Sequence, residues 1–167
     1  MESKRVAESL IKSYSLQHGV HFNTVRIAHA YGPTMRLDHD GRIMADLMAD
    51  ALAGRDITLK SRGEAIRAFI YITDAVLGLF TILFRGKPDE PYNLANETEP
   101  VTIKTLADRI ASLRPGLRVV FQTQEDAGTK GYCAYQRTAL DTSAIEKLGW
   151  SPKVSLEEGL SRLAQIG

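Results

Sequence analysis

The chain has 167 residues, 44% hydrophobic and 25% charged, with a formal net charge of +1. That length suffices for a domain with a buried core, and the balanced charge, with no long basic run, excludes an electrostatic case for nucleic-acid binding. The single cysteine, Cys133, excludes an internal disulfide framework and fits a reducing compartment, and no apolar run approaches the ~20 residues of a membrane span.

The N-terminus lacks the charged-then-apolar order of a secretory signal, so the expectation is a cytoplasmic protein. MESKRVAE reads as the inside of a helix. Val6, Leu10, Ile11 and Tyr14 recur at spacings of three and four, predicting a helix over 2–18 that Gly19 stops. FNTVRIA (22–28) is rich in β-branched and aromatic residues and reads as a buried strand, broken by Tyr31-Gly32-Pro33. Residues 34–40 form a polar loop, and 42–53 a second helix ending at Gly54. Short extended stretches follow at 56–60 and 67–72. Thr73 is placed as the cap of a helix to about Phe84, with Val76, Phe80 and Leu83 in register.

A short strand is predicted at 92–95. Thr102 caps a helix to Leu113, and Pro115-Gly116 turns the chain into a strand at 117–122. Residues 128–136 read as loop. Asp141 can cap a short helix ending at Gly149, and Ser155 with Glu158 forms a capping box that opens the last helix. Helices and strands alternate almost throughout, which predicts an α/β fold. The strands are nevertheless few and short, and the first is preceded only by a helix.

Several stretches taken together carry a resemblance. ESKRVAE resembles the segment after the catalytic tyrosine in the extended short-chain dehydrogenase/reductase family, where the pattern is Tyr-x-x-x-Lys. VRIAHAYGP resembles that family's Arg-x-x-Asn-x-Tyr-Gly-Pro strand and loop. DGRIMADLMADALAG, DITLKSRGEAIRAFIYITDAVLGL and YNLANETEPVTIKTLADRI resemble the segments that follow. ALDTSAIEKLGWSPKVSLEEGL resembles its Leu-Gly-Trp-x-Pro ending. The order and spacing hold over essentially the whole chain.

The resemblance implies the C-terminal part of an NAD(P)-binding Rossmann-type enzyme among the NAD-dependent nucleotide-sugar epimerases and dehydratases. Residues 1–33 would be the last Rossmann helix and strand, and 34–167 mainly a small substrate-binding subdomain. Counting back four residues from Lys4, the tyrosine falls immediately before Met1. The expectation is that Met1 is an internal methionine of a longer enzyme.

The chemistry behind that pattern is direct. A free tyrosine has a pKa of about 10 and is a poor base at neutral pH. An ammonium four residues away on the same helix face favours the phenolate. Lys4 is thus the implied catalytic residue, and it would also reach the ribose of NAD. Arg67 falls where the family binds the substrate diphosphate, a task suited to a planar guanidinium. Arg137 is a second implied phosphate or ribose contact.

His29 stands where asparagine is common, beside the sugar diphosphate. It can still donate a hydrogen bond, with different geometry. Tyr31 belongs to the loop near the nicotinamide. Lys60 replaces a common aromatic neighbour of the base. The implied partners are a nucleotide-diphosphate sugar and a second copy of the chain, in a homodimer.

Other candidates are weaker. His18 with His21, and Asp38-His39-Asp40, lack metal-ligand spacing. Cys133 has no adjacent base. Asp74 lies in a first helical turn and reads as structural. No Gly-x-x-Gly-x-x-Gly follows a strand, so the phosphate-cradling turn of a dinucleotide fold is not among these residues. Weak or no NAD binding and no turnover are expected of this chain by itself. The DGR-containing stretch leans towards the epimerase and UDP-xylose-synthase-like branch. Two further readings stand beside this one. One is a non-catalytic nucleotide-sugar-binding or self-associating module. The other is a carbonyl reductase of the same family, against which Arg67 argues.

Overall fold

The computed structural model describes residues 2–37, 41–122 and 136–165. Asp38-His39-Asp40, Cys133 and all but the last residue of the 128–136 loop lie outside the described residues.

Helix α1 (Glu2–His18) runs into strand β1 (Thr24–Ile27), and β2 (His29–Tyr31) follows after one residue. The chain continues through α2 (Ile43–Leu52), β3 (Ile57–Leu59), β4 (Ile66–Arg67), β5 (Phe69–Tyr71) and α3 (Ile72–Arg85). Next come β6 (Pro91–Leu94), β7 (Val101–Thr102), α4 (Ile103–Ser112) and β8 (Val119–Phe121), then α5 (Ser143–Glu146) and α6 (Leu156–Ala164).

The strands form two-stranded ladders. β1 pairs in parallel with β6, β2 with β5, and β3 with β8, while β4 and β7 are antiparallel. Parallel pairing with intervening helices is the signature of α/β crossovers. This bears out the predicted fold class.

Two apolar clusters hold these ladders. One joins α2, α4, α6 and β3 through Met48, Ile57, Leu106, Ile110 and Leu160, and takes in Tyr31, Phe69 and Tyr71. The other lies under β6 and α3 and contains Ile70, Ala75, Ile82, Tyr92, Leu94, Ile145 and Trp150. β6 returns to pair with β1, and Val25 of β1 packs against this second cluster.

Local capping follows the sequence in two places and departs from it in two. Thr102 caps α4 by accepting the Thr105 N–H, and Ser155 caps α6 by accepting the Glu158 N–H. Helix α3, however, starts before Thr73, with Tyr71 at its N-cap position and no side-chain cap. The short helix α5 has Thr142 rather than Asp141 at the cap position, although the Asp141 carboxylate accepts the Ser143 N–H at 2.9 Å.

The largest departure concerns which helix faces are covered. The periodic residues of α1, Val6, Leu10, Ile11 and Tyr14, are exposed, and Ser15 is the buried residue of that helix. On α3, Val76, Phe80 and Leu83 are also exposed, while Asp74, Ala75, Gly78 and Ile82 are buried. The α3 helix buries its small-residue side against β6 and Trp150: a Cβ on Gly78 would collide with Leu94 and approach the Trp150 indole at 3.2 Å. The bulky side points outward, where a shallow apolar depression of about 380 Å³ is lined by Ile72, Thr73, Val76 and Leu77.

Candidate functional site

The site is set by how three short strands meet. β2 and β5 are parallel, with His29 opposite Phe69 and Tyr31 opposite Tyr71. Residues 29 and 31 fall on one side of their strand, and an aromatic row follows from it. The His29 ring lies 5.5 Å from Phe69, and Tyr31 meets Phe69 and Tyr71 edge-on at 6.4 and 5.5 Å.

Two residues before Phe69 stands Arg67, on β4. Its backbone pairs with Val101 on one side, and a parallel bridge joins Ile66 to Arg137 on the other. The bridge is fixed by the Ile66 N–H donating to Gln136 O at 2.6 Å. Arg67 is 6% exposed, and its guanidinium donates to Ile66 O at 2.7 Å and to Gln136 O at 3.4 Å. Arg137, on the far side of that bridge, is exposed. The fold thus brings three segments far apart in sequence together: β2 with His29, β4–β5 with Arg67, and the bridge at Arg137.

Arg67 acts on His29 through its charge. The His29 imidazole is held below its ordinary pKa by partial desolvation first and by the Arg67 charge second. An exposed imidazole under the field of a permanent cation, with Arg137 bridged to the neighbouring Ile66, offers N–H donors to an anion.

Tyr31, which the resemblance puts in the loop near the nicotinamide, packs inward. It is 2% exposed, and its hydroxyl donates to Leu156 O at 3.4 Å. Burial first, and the neighbouring carboxylates Glu99, Asp74 and Glu158, push its phenol well above the ordinary value. The Tyr31 ring is enclosed by Phe69, Tyr71 and α6, and the residue belongs to the core cluster. The following Gly32 is required by close approach, since a Cβ there would lie 2.8 Å from Ile72 Cβ at the start of α3.

Lys4 lies on a separate element, exposed in the first turn of α1. Two contacts orient that helix. Arg26 of β1 clamps Glu8 with Nε at 2.9 Å from Oε1, and Ser15 donates to Asp89 at 3.2 Å while the Asp89 N–H reaches Phe22 O. The helix therefore runs antiparallel to β1, and its Lys4 end lies towards the end of β1 that leads to His29. In parallel sheets that carboxyl end of the strands is where ligands sit.

Lys60 is exposed just beyond β3. His18 stacks obliquely on Tyr14, with ring centroids 4.2 Å apart, and His21 faces Asp89 at 3.7 Å. Among the described residues no cluster of three or more His, Cys, Asp or Glu side chains could hold a metal ion. No described helix is long and apolar enough to cross a membrane. One participant escaped the sequence reading. The Gln136 carbonyl orients Arg67, and a backbone carbonyl in a two-residue bridge leaves no pattern in the sequence.

Comparison with known proteins agrees with this geometry. The sequence is 38% identical over 162 residues to UDP-glucuronic acid decarboxylase 5 of Arabidopsis thaliana, covering 95% of this chain and 45% of the relative. It is 33% identical over 164 residues to UDP-glucuronic acid decarboxylase 1 of Xenopus tropicalis, covering 96% of this chain and 37% of that protein. The chain thus spans less than half the length of these curated relatives. Its fold superposes on a UDP-glucose 4-epimerase from Thermotoga maritima with a TM-score of 0.80 at 22% identity, over 98% of this chain and 51% of that one. A dTDP-glucose 4,6-dehydratase from Bacillus anthracis, solved in complex with NAD, gives a TM-score of 0.78 at 20% identity, over 99% of this chain and 50% of that one. The NAD dependent epimerase/dehydratase family model matches residues 1–95, more than half of the sequence, and the chain belongs to that family.

Proposed function

We propose that this chain is the substrate-binding, C-terminal portion of an NAD-dependent nucleotide-sugar-modifying enzyme. The observation that supports the reading is that the strand bearing His29 pairs with the segment after Arg67, while Arg137 bridges Ile66 beside Arg67; a histidine and two arginines brought by neighbouring strands suit a diphosphate. The decarboxylase relatives favour a UDP-linked sugar acid as the substrate of the intact protein.

In that enzyme a tyrosine one turn before Lys4 takes the hydroxyl proton, and Lys4 favours its phenolate. NAD supplies a hydride acceptor at the sugar carbon. The residues present fit only part of that cofactor's needs. Lys4 offers an exposed ammonium, but the glycine-rich phosphate turn is not among these 167 residues. The chain by itself is therefore read as inactive, with the dinucleotide held by other residues of the intact enzyme.

The outward apolar faces of α1 and α3 support the same reading. Leu10, Tyr14, Leu83 and Phe84 are 64%, 58%, 68% and 77% exposed, more apolar surface than a solitary domain commonly leaves to water. The Ile27 side chain at the end of β1 is 44% exposed, although strands of a parallel sheet are normally covered on both faces. These surfaces also favour a second reading, a module that self-associates through α1 as a homodimer.

Calorimetric titration of this chain with UDP-glucose and with NAD tests the proposal. Binding of UDP-glucose, weakened about tenfold or more in Arg67→Ala by loss of charge-assisted hydrogen bonds, with no NAD-dependent turnover, is the expected result. Turnover of a nucleotide sugar with NAD by this chain alone would overturn the account of it as one part of the catalytic unit. Indifference of UDP-glucose to Arg67→Ala would remove the diphosphate site.

A further inference from the structure

We propose that His29 is a proton-linked part of the anion site, taking up a proton from solvent when a diphosphate settles beside Arg67, so that nucleotide-sugar binding tightens as pH falls. The inference rests on the reading of Arg67 and Arg137 as the diphosphate contacts.

The strand register sets His29 opposite Phe69, two residues along the chain from Arg67. On its own strand the neighbours are Ala30 and Tyr31, neither bearing charge near neutral pH. β5, packed against it, brings Phe69, Ile70 and Tyr71. The charge acting on the imidazole is Arg67 of β4, and Arg137 lies across the bridge from that residue's neighbour, Ile66. Three carboxylates, Glu99, Asp74 and Glu158, act on Tyr31 further along the strand. Each is already engaged. Glu99 takes the Arg109 guanidinium and the Leu156 N–H, Asp74 takes the Lys153 and Val154 N–H groups, and Glu158 takes Arg162.

His29 therefore sits with a fixed cation beside it. In the free protein that cation and partial burial favour the neutral ring. A diphosphate placed on Arg67 reverses the local field, and the imidazolium becomes the favoured form. Its two N–H groups then both donate, where the neutral ring donates once. An asparagine amide in the same place would offer a donor whose charge does not change with pH.

The sign follows from linkage. The free ring titrates below its ordinary ~6.5, and the bound ring titrates higher. Between those two values each protein that binds ligand also binds a proton. Affinity then rises as pH falls, by at most about tenfold per pH unit for one proton.

The test uses UDP-glucose, whose diphosphate diester does not titrate near neutrality, and the whole chain. The His29 ring-proton resonance is assigned by its absence in His29→Asn and followed against pH with and without the nucleotide sugar. The expected result is an upward move of the His29 midpoint on saturation. It is accompanied by a severalfold gain in affinity from about pH 8 to about pH 6 that His29→Asn and His29→Gln both lose, with unchanged far-UV circular dichroism. If UDP-glucose binds and Arg67→Ala weakens it, but the His29 midpoint stays put and the variants keep the same pH dependence, the proton linkage is refuted and the diphosphate site stands. If UDP-glucose binds at no pH, the diphosphate reading and this inference fall together.

Discussion

The Asp74 carboxylate accepts the backbone N–H of Val154 at 2.9 Å, across 80 positions of sequence. The same oxygen accepts the Lys153 N–H at 2.9 Å, and the Trp150 indole donates to the Asp74 carbonyl at 3.1 Å. Asp74 is 2% exposed, so this side chain is a buried staple joining the first turn of α3 to the segment before α6. Removing the carboxylate strands two N–H groups, and unsatisfied buried donors cost more than the bonds they made. Asp74→Ala is expected to destabilise the chain by about 3 kcal/mol or more. Asp74→Asn, which keeps one acceptor, is expected to cost less. Urea unfolding checks both, and a loss below about 1 kcal/mol for alanine would show that the staple contributes little.

A second prediction concerns the contact between α6 and the aromatic row. A Cβ on Gly159 would collide with the Tyr31 hydroxyl and lie 2.9 Å from Tyr71 Cδ2. Neither ring can retreat, because Tyr31 and Tyr71 are both buried. Gly159→Ala is expected to cost about 1–3 kcal/mol by overpacking, despite alanine's better helix propensity. Thermal unfolding distinguishes this from the stabilisation that propensity alone would give.

Acid should loosen the same region through Glu99. Desolvation raises the Glu99 pKa, but the Arg109 hydrogen bond and the Leu156 N–H outweigh it and hold the carboxyl below its ordinary value. The carboxylate also sits at the amino end of α6, where the helix dipole favours negative charge. A depressed folded-state value means that this stabilisation is present above the unfolded pKa of about 4.3 and is lost as pH falls through the folded value. Unfolding free energy measured from about pH 6 downwards should fall less steeply in Glu99→Gln than in the unmodified chain. Parallel slopes would show that Glu99 carries no linkage.

The outward face of α3 makes a fourth prediction. Leu83 and Phe84 make little use of their apolar surface within this chain, at 68% and 77% exposed. Replacing both by glutamate is expected to leave stability within about 0.5 kcal/mol per site and to reduce association seen by sedimentation. A loss of several kcal/mol would mean that the face is covered in the free chain.

Much of the local structure was legible because it depends on near neighbours. The helix over 2–18 was read from a three-and-four spacing and its stop at Gly19, and α1 has those limits. Thr102 and Ser155 were identifiable as caps because a side chain reaching the backbone three residues on is a local event. The single break at Ala28 between β1 and β2, and the two-residue strands β4 and β7, were not legible. Strands that short have no period, and they exist only through their partners.

The site divides along the same line. Arg67 could be singled out from sequence by chemistry and resemblance, and so could His29 and Arg137. That the segments carrying them lie side by side was decided by the His29–Phe69 register and the Ile66–Arg137 bridge. The burial of Tyr31 was likewise decided by tertiary packing, through enclosure by Phe69, Tyr71 and Leu156.

What the sequence by itself determined was the family, the α/β alternation, the limits of α1 and the amphipathic character of α1 and α3. Only the tertiary structure decided which side of each helix is covered. Periodicity reports that an apolar face exists and says nothing of what is there to meet it. On α3 the small residues Ala75 and Gly78 permit close approach to Leu94, Tyr92 and Trp150, and that packing turns Val76, Phe80 and Leu83 outward. Burial is a property of two surfaces, and the second surface is not written in the helix's own residues.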